Sequence, residues 1–167
     1  MKHGFVKVAA VTPKIKVADT IYNGQQIRLH MDEAVQAGAK VVVFPELCIT
    51  GCTCGDLFFH DALLRAAKKE LLEITDHSRY SDAIFFVGLP YEIDGKLYNM
   101  AAVICGGEIL GLVPKTYIPG HHESYETRYF ASGAYLDTEE VLKGDDILME
   151  DQVVTVGTDL IFCCSSL

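Results

Sequence analysis

The sequence predicts an α/β fold, a mixed sheet with helices packed on one or both of its faces. Two short apolar runs rich in β-branched residues, at 5–11 and 40–44, flank a stretch with helical apolar spacing, the strand-helix-strand order of a parallel pair. After a second amphipathic stretch the pattern changes to apolar runs separated by two-residue turn signals, which is the mark of an antiparallel meander. The 167 residues suit one domain, and half of them are hydrophobic, enough for a sizeable core.

Each element has its own local reason. The first strand, 5–11, ends at the breaker Thr12-Pro13. From 20 to 37, Ile27, Met31, Ala34, Val35 and Ala37 fall mainly at helical spacing, with Gln25, Arg28, Asp32 and Gln36 opposite, and Gly38 is placed to end the helix in a left-handed turn. Residues 40–44 form a continuously apolar strand ending at Pro45, as expected of a central strand covered on both faces. Asp61 is the expected N-cap of a second helix, with Leu63, Leu64, Ala67, Leu71 and Ile74 on one side and Arg65, Lys68, Lys69 and Glu73 on the other. Residues 83–89 are a third strand. Asp94-Gly95 then turns the chain into 97–105, and Gly106-Gly107 into 108–113. Further short strands are expected at 153–156 and 159–164.

Charge narrows the function. Fourteen basic against twenty-three acidic side chains leave a net charge of −9, which repels nucleic acid and anionic membrane surfaces. Much of it is local: seven acids and one base lie between Asp137 and Asp151, and a solvated segment is expected there. No apolar run approaches the roughly 18–20 residues of a membrane span, and the N-terminus has no signal-peptide pattern, so a cytoplasmic protein is expected. Of the six cysteines, Cys48, Cys52 and Cys54 with His60 could be drawn as a metal cluster, but their spacing is not that of repeated C-x2-C pairs. Small buried thiols are expected instead, and no metal. Adjacent Cys163 and Cys164 would point to opposite faces of a strand. The chain lacks a G-x-G-x-x-G after its first strand, a P-loop and a G-x-S-x-G, so dinucleotide, nucleotide-phosphate and serine-hydrolase chemistry have no local support.

Two places set a reactive side chain at a strand end. Glu46 comes directly after the strand that ends Phe44-Pro45, where burial would disfavour the carboxylate and suit a general base. Lys115 closes the last strand of the meander, where a fixed ammonium can stabilise an oxyanion forming at a carbonyl. On position alone, an exposed glutamate and a snorkelling lysine are the ordinary readings. The stretch after Lys115 is less ordinary. Glu123, Tyr125, Glu126, Arg128, Tyr129 and Phe130 crowd charge and aromatics together just after two histidines, and Glu123 beside Lys115 would keep the lysine protonated.

Taken together these segments resemble a known family. Phe44-Pro45-Glu46-Leu47-Cys48-Ile49-Thr50-Gly51, continuing through Gly55-Asp56-Leu57-Phe58, resembles the first catalytic motif of the nitrilase, or carbon-nitrogen hydrolase, superfamily. Pro114-Lys115-Thr116-Tyr117-Ile118-Pro119 followed by Glu123-x-Tyr125-Glu126-x-Arg128-x-Phe130 resembles its lysine motif. The Gly-Asp-Leu-Phe and Tyr-Glu-x-Arg-x-Phe stretches are most similar to the glutaminase branch found in glutamine-dependent NAD synthetases. The resemblance runs along the whole chain, including Asn99-x-Ala101 as a turn into the meander.

The resemblance implies a nitrilase-like αββα sandwich, incomplete in this chain, that carries a Cys-Glu-Lys triad. By motif match Glu46 is the general base, Lys115 the oxyanion stabiliser and Glu123 the second glutamate that orients the lysine. It further implies glutamine as substrate and homo-oligomers in which glutaminase domains pack together. A C-terminal synthetase domain of the same protein would use ATP and magnesium to make NAD from the deamido dinucleotide. The glutaminase domain itself needs no cofactor. Cys52 stands where the family commonly has a tyrosine, and Gly120-His121 where it commonly has Asn-Tyr; His121 is a candidate ligand for the substrate carboxylate or amide. Residues 157–162 match the stretch before the nucleophile, yet no Glu-x-Cys-Glu comes after them, and Cys163 and Cys164 come one strand too early. Residues 1–167 are therefore expected to be the N-terminal part of a glutaminase domain, inactive alone. A stand-alone amidase-like hydrolase and a non-catalytic binding module are the alternatives.

Overall fold

The computed structural model describes residues 4–120, 125–136, 148–149 and 152–163. In chain order the elements are β1 (Val8–Ala10), α1 (Thr20–Gln36), β2 (Val41–Val43), α2 (Asp61–His77), β3 (Ile84–Ile93), β4 (Lys96–Cys105), β5 (Glu108–Pro114), the single turn α3 (Glu126–Tyr129), β6 (Leu148–Met149) and β7 (Gln152–Val153). Strands β1 to β5 form one sheet in sequence order. Its β1, β2 and β3 are parallel, and β3, β4 and β5 antiparallel.

The parallel strands need crossovers, and α1 and α2 supply them on one face of the sheet. Ile27, Met31 and Ala34 of α1 and Ala67, Leu71 and Ile74 of α2 share a core with Val42, Phe85, Val87 and Leu89. Residues at the same pleat parity on the next strands, Met100, Ala102, Ile104 and Leu112, extend it. Helix α1 opens on Asp19, whose side chain accepts a hydrogen bond from Tyr22 N at 3.1 Å, and Gly38 ends it at φ 84°. Arg28 and the nearly buried Glu70 link the two helices by an ion pair.

Both hairpins use two-residue turns with positive φ at each central position, Asp94-Gly95 and Gly106-Gly107, as the right-handed strand twist requires. Strand β3 continues to Ile93, past the expected end at 89. Its pairing with β2 stops at Phe86, and beyond it only the turn after β2 reaches β3, through Ile49 N to Gly88 O, so Pro90 lies where no neighbouring strand asks for an N–H. Asn99 lies inside β4 rather than in a turn.

Three local expectations are corrected. Asp61 is the first residue of α2 and not its cap: His60 sits at the cap position without a side-chain hydrogen bond, while Asp61 places its charge at the positive end of the helix. Strand β1 is shorter than expected, and Val8 on it is 68% exposed. Residues 159–163 form no strand; Leu160 and Phe162 instead pack onto Gly111 from outside the sheet, and Val156 makes only an isolated parallel bridge to Leu112. The acidic stretch at 137–147 lies outside the described residues. No helix among the described residues is long and apolar enough to cross a membrane.

Candidate active site

The face of the sheet opposite α1 and α2 carries the reactive groups. Just past β2 the chain turns sharply across Gly88 of β3, so closely that a Cβ on Gly88 would lie 2.4 Å from Leu47 N and 2.7 Å from Pro45 O. Leu47 takes a left-handed backbone, φ 52°, which costs a non-glycine residue about 1 kcal/mol or more. Its carbonyl accepts hydrogen bonds from Thr50 N and Gly51 N, and its side chain is buried with Phe58 and Phe130. This strained, tightly seated turn presents Glu46.

Glu46 meets Lys115 across the sheet. Lys115 N donates to Asn99 O at 2.8 Å, extending the β4/β5 ladder by one bond past Pro114. From there Lys115 Nζ donates to Glu46 Oε1 at 2.6 Å and to Glu126 Oε2 at 2.8 Å. Asn99, 3% exposed, donates from Nδ2 to the same Glu46 Oε1. Burial alone would push the Lys115 ammonium down, but the hydrogen bonds to Glu126 and Glu46 outweigh it and raise its pKa above the usual value, so the lysine is a fixed cation at neutral pH. Glu46 is 48% exposed at its side chain, nearer the ordinary exposed reading of its position than the burial that would suit a desolvated base. Its surroundings distinguish it through two directed donors rather than through desolvation.

Glu126 stands on α3, a single helical turn anchored at both ends. Arg128 donates through Nε and a terminal nitrogen to Asp56 at 3.2 and 3.3 Å, and Tyr129 OH reaches Asp56 at 3.4 Å. Phe130 packs edge-on against Phe58 with ring centroids 5.0 Å apart. The two motif stretches, 55–58 and 125–130, are therefore contact partners of one another. A cavity of about 380 Å³ opens beside them, lined by Glu46, Cys52, Phe58, Tyr125, Glu126 and Tyr129 among others.

Glu46 and Lys115, both candidates from the sequence, are brought together; Glu123 and His121 lie outside the described residues. The described carboxylate that orients Lys115 is Glu126, within the Tyr125-Glu126-x-Arg128 stretch, since spacing along a loop cannot say which glutamate folds back. Asn99 escapes sequence reasoning as a site residue, because an amide within an apolar strand has no distinguishing pattern of its own. The cysteines separate. Cys48 is buried, its thiol directed at Gly88 O and pushed up to about 12 by burial, and Cys54 is buried with its thiol toward Thr50 O and Gly51 O, its pKa also raised by burial. Cys52, expected to be buried, is exposed in the cavity wall. Among the described residues no cluster of His, Cys, Asp and Glu is arranged to hold a metal ion.

Comparison with known proteins places the chain in a family. The chain is 37% identical, across 99% of its length, to the glutamine-dependent NAD(+) synthetase of Mycobacterium tuberculosis (strain ATCC 25618 / H37Rv), of which it covers 23%. The corresponding protein of Aquifex aeolicus is also 37% identical, over 70% of this chain and 20% of that protein. The chain thus spans less than a quarter of the length of the curated relatives it matches. Among solved structures, a glutamine-dependent NAD(+) synthetase from Cytophaga hutchinsonii superposes with a TM-score of 0.72 at 29% identity, covering 76% of this chain and 22% of that one. An amidase from Nesterenkonia sp. shares the fold at a TM-score of 0.66 and 20% identity, over 79% of this chain and 49% of that one. The carbon-nitrogen hydrolase family pattern itself matches residues 7–158, a span holding Glu46, Asn99, Lys115 and Glu126, and on that ground the chain belongs to the carbon-nitrogen hydrolase family.

Proposed function

We propose that this chain is the N-terminal part of a glutaminase domain that supplies ammonia for ATP-dependent NAD synthesis in a longer protein. The observation that carries the reading is the Lys115 ammonium held between Glu46 and Glu126 at the rim of a cavity. The mycobacterial and Cytophaga relatives support the choice of glutamine and of NAD synthesis.

In this reading Glu46 takes the proton of a cysteine thiol, and the thiolate sulfur bonds to the side-chain amide carbon of glutamine. The carbonyl oxygen becomes an oxyanion next to Lys115, whose ammonium stays protonated and offsets the new charge. Collapse breaks the C–N bond, and the proton held by Glu46 leaves with the nitrogen as ammonia. Water then adds to the thioester, giving its proton to Glu46; as the C–S bond breaks, Glu46 returns that proton to sulfur, and the freed side-chain carboxylic acid ionises to give glutamate. Cys48 and Cys54 are too buried to act as the nucleophile, and this chain contains no Glu-x-Cys-Glu. In this reading the nucleophile is supplied by another part of the longer protein, and residues 1–167 by themselves do not turn over glutamine. ATP and magnesium belong to a synthetase domain in the same longer protein, and homo-oligomers are expected of it.

Ammonia release from glutamine by the full-length protein tests the reading. Glu46→Gln and Lys115→Met are expected to abolish it while NAD formation from added ammonia persists. Unchanged glutamine hydrolysis in both variants would remove the reading, and with it any role for the pair. A second reading, a stand-alone hydrolase of another amide, is favoured by Cys52 in the cavity wall. It predicts turnover of small aliphatic amides in preference to glutamine and no NAD formation. Loss of all amide turnover in the wild-type protein would leave the binding-module alternative.

A further inference from the structure

We propose that Asn99 is the positioning residue of the general base, holding Glu46 by one carboxylate oxygen and leaving the other free to accept the nucleophile's proton. The proposal rests on the reading of Glu46 as the base. Its ground is an asymmetry in the site: the Asn99 amide and the Lys115 ammonium both donate to Oε1 of Glu46, and among the described residues no donor reaches Oε2.

A carboxylate at a strand end with one charged donor can turn about its last torsion and offer either oxygen, since that torsion is broad and nearly two-fold. Two donors converging on one oxygen from different strands fix the plane. Lys115 approaches from the end of β5 and Asn99 from within β4, where it is almost completely buried and cannot follow the carboxylate into solvent. The same residue also accepts Lys115 N through its own carbonyl at 2.8 Å. One residue thus sets the height of the lysine through its backbone and the orientation of the base through its side chain.

The chemistry requires a neutral donor at this position. An aspartate would set a second negative charge against Glu46, and leucine would leave Oε1 to Lys115 alone. Among the described residues the other ionisable side chains around Glu46 are Glu126 on α3 and Cys52, Tyr125 and Tyr129 in the cavity wall, and none of them donates to Glu46. Lys115 and Asn99 are the whole described hydrogen-bonding environment of the base.

The test compares wild type, Asn99→Leu and Asn99→Asp in the full-length protein. The Glu46 carboxylate is read by isotope-edited infrared difference spectra, with its stretching bands assigned by their disappearance in Glu46→Gln. Losing the Asn99 donor to one oxygen is expected to shift those bands and to change the splitting between the antisymmetric and symmetric stretches in both variants. For glutamine hydrolysis, kcat is expected to fall at least tenfold with KM changed less than twofold. Carboxylate bands that stay fixed, or an unchanged kcat in a protein that does turn over, overturn the proposal. Should Asn99→Leu fail to fold, the isosteric Asn99→Asp carries the same test. A wild-type protein that releases no ammonia would sink the glutaminase reading, whereas the carboxylate bands would still decide the role of Asn99.

Discussion

The backbones of Gly88 and Leu47 leave no room for a side chain between them: a Cβ on Gly88 would lie 2.4 Å from the Leu47 nitrogen, inside any allowed contact. That approach holds the turn carrying Glu46 against β3, and Ile49 N closes it with a hydrogen bond to Gly88 O at 3.2 Å. Gly88→Ala must push the turn off the strand. The expected result is a loss of about 1–3 kcal/mol of stability, typical of overpacking. The accompanying loss of glutamine hydrolysis should exceed what the remaining folded fraction explains. Denaturant titration and ammonia release on the same preparations separate the two effects.

Lys115 gives a pH dependence whose sign is fixed by its neighbours. Its pKa in the folded protein lies above the ordinary 10.5, because the hydrogen bonds to Glu126 and Glu46 outweigh its desolvation. A cation favoured by folding contributes stability fully present below about pH 10.5 and lost as the pH climbs through the raised folded value. Denaturant midpoints from pH 8 to 11 should fall more steeply at the alkaline end for wild type than for Lys115→Met. Equal alkaline slopes would show that the ammonium is not held by the two carboxylates.

Thiol chemistry should sort the cysteines by burial. Cys52 lies exposed in the wall of the cavity that Glu46 lines, whereas Cys48 and Cys54 are buried with thiol pKa values raised by desolvation. Brief treatment with iodoacetamide near pH 7.5 should label Cys52 and spare Cys48 and Cys54, as read by peptide mass spectrometry. In the full-length protein Cys52→Ala should keep glutamine hydrolysis, since the proposed nucleophile lies elsewhere. Loss of activity in Cys52→Ala comparable with that of Glu46→Gln would make Cys52 itself the nucleophile.

Legibility in the sequence depends on how local each cause is. Gly38, Asp94-Gly95 and Gly106-Gly107 end or turn their elements through backbone torsions that glycine and aspartate adopt most readily, so those boundaries stand where expected. The end of β3 depends on where β2 stops pairing, and the irregular run at 159–163 on how Leu160 and Phe162 meet Gly111; neither is local. The same division holds at the site. Glu46 and Lys115 are legible because each comes at a strand end directly beside a proline. Glu126 and Asn99 act through contacts made across the fold, with Lys115 eleven residues before the first and Glu46 fifty-three before the second. Cys52 departs from expectation because the apolar residues around it in sequence do not surround it in space.

Among the contacts that connect α3, and hence Glu126, to the 55–58 stretch are the Asp56–Arg128 ion pair, with side chains 68% and 58% exposed, and the Phe58–Phe130 ring contact, with both rings buried. An ion pair so open to solvent is worth about 0.2–1 kcal/mol even with good geometry. Truncating a buried phenylalanine costs about 3–5 kcal/mol through lost burial and the cavity left behind. Asp56→Asn should therefore lower stability by less than about 1 kcal/mol. Phe58→Leu, which keeps most of the apolar volume, should cost more than that ion-pair change. It should also loosen Glu126, seen as a lowered Lys115 titration midpoint in nitrogen NMR. If Asp56→Asn proved the more damaging change in both measurements, the ion pair and not the aromatic contact would be the element that sets the lysine.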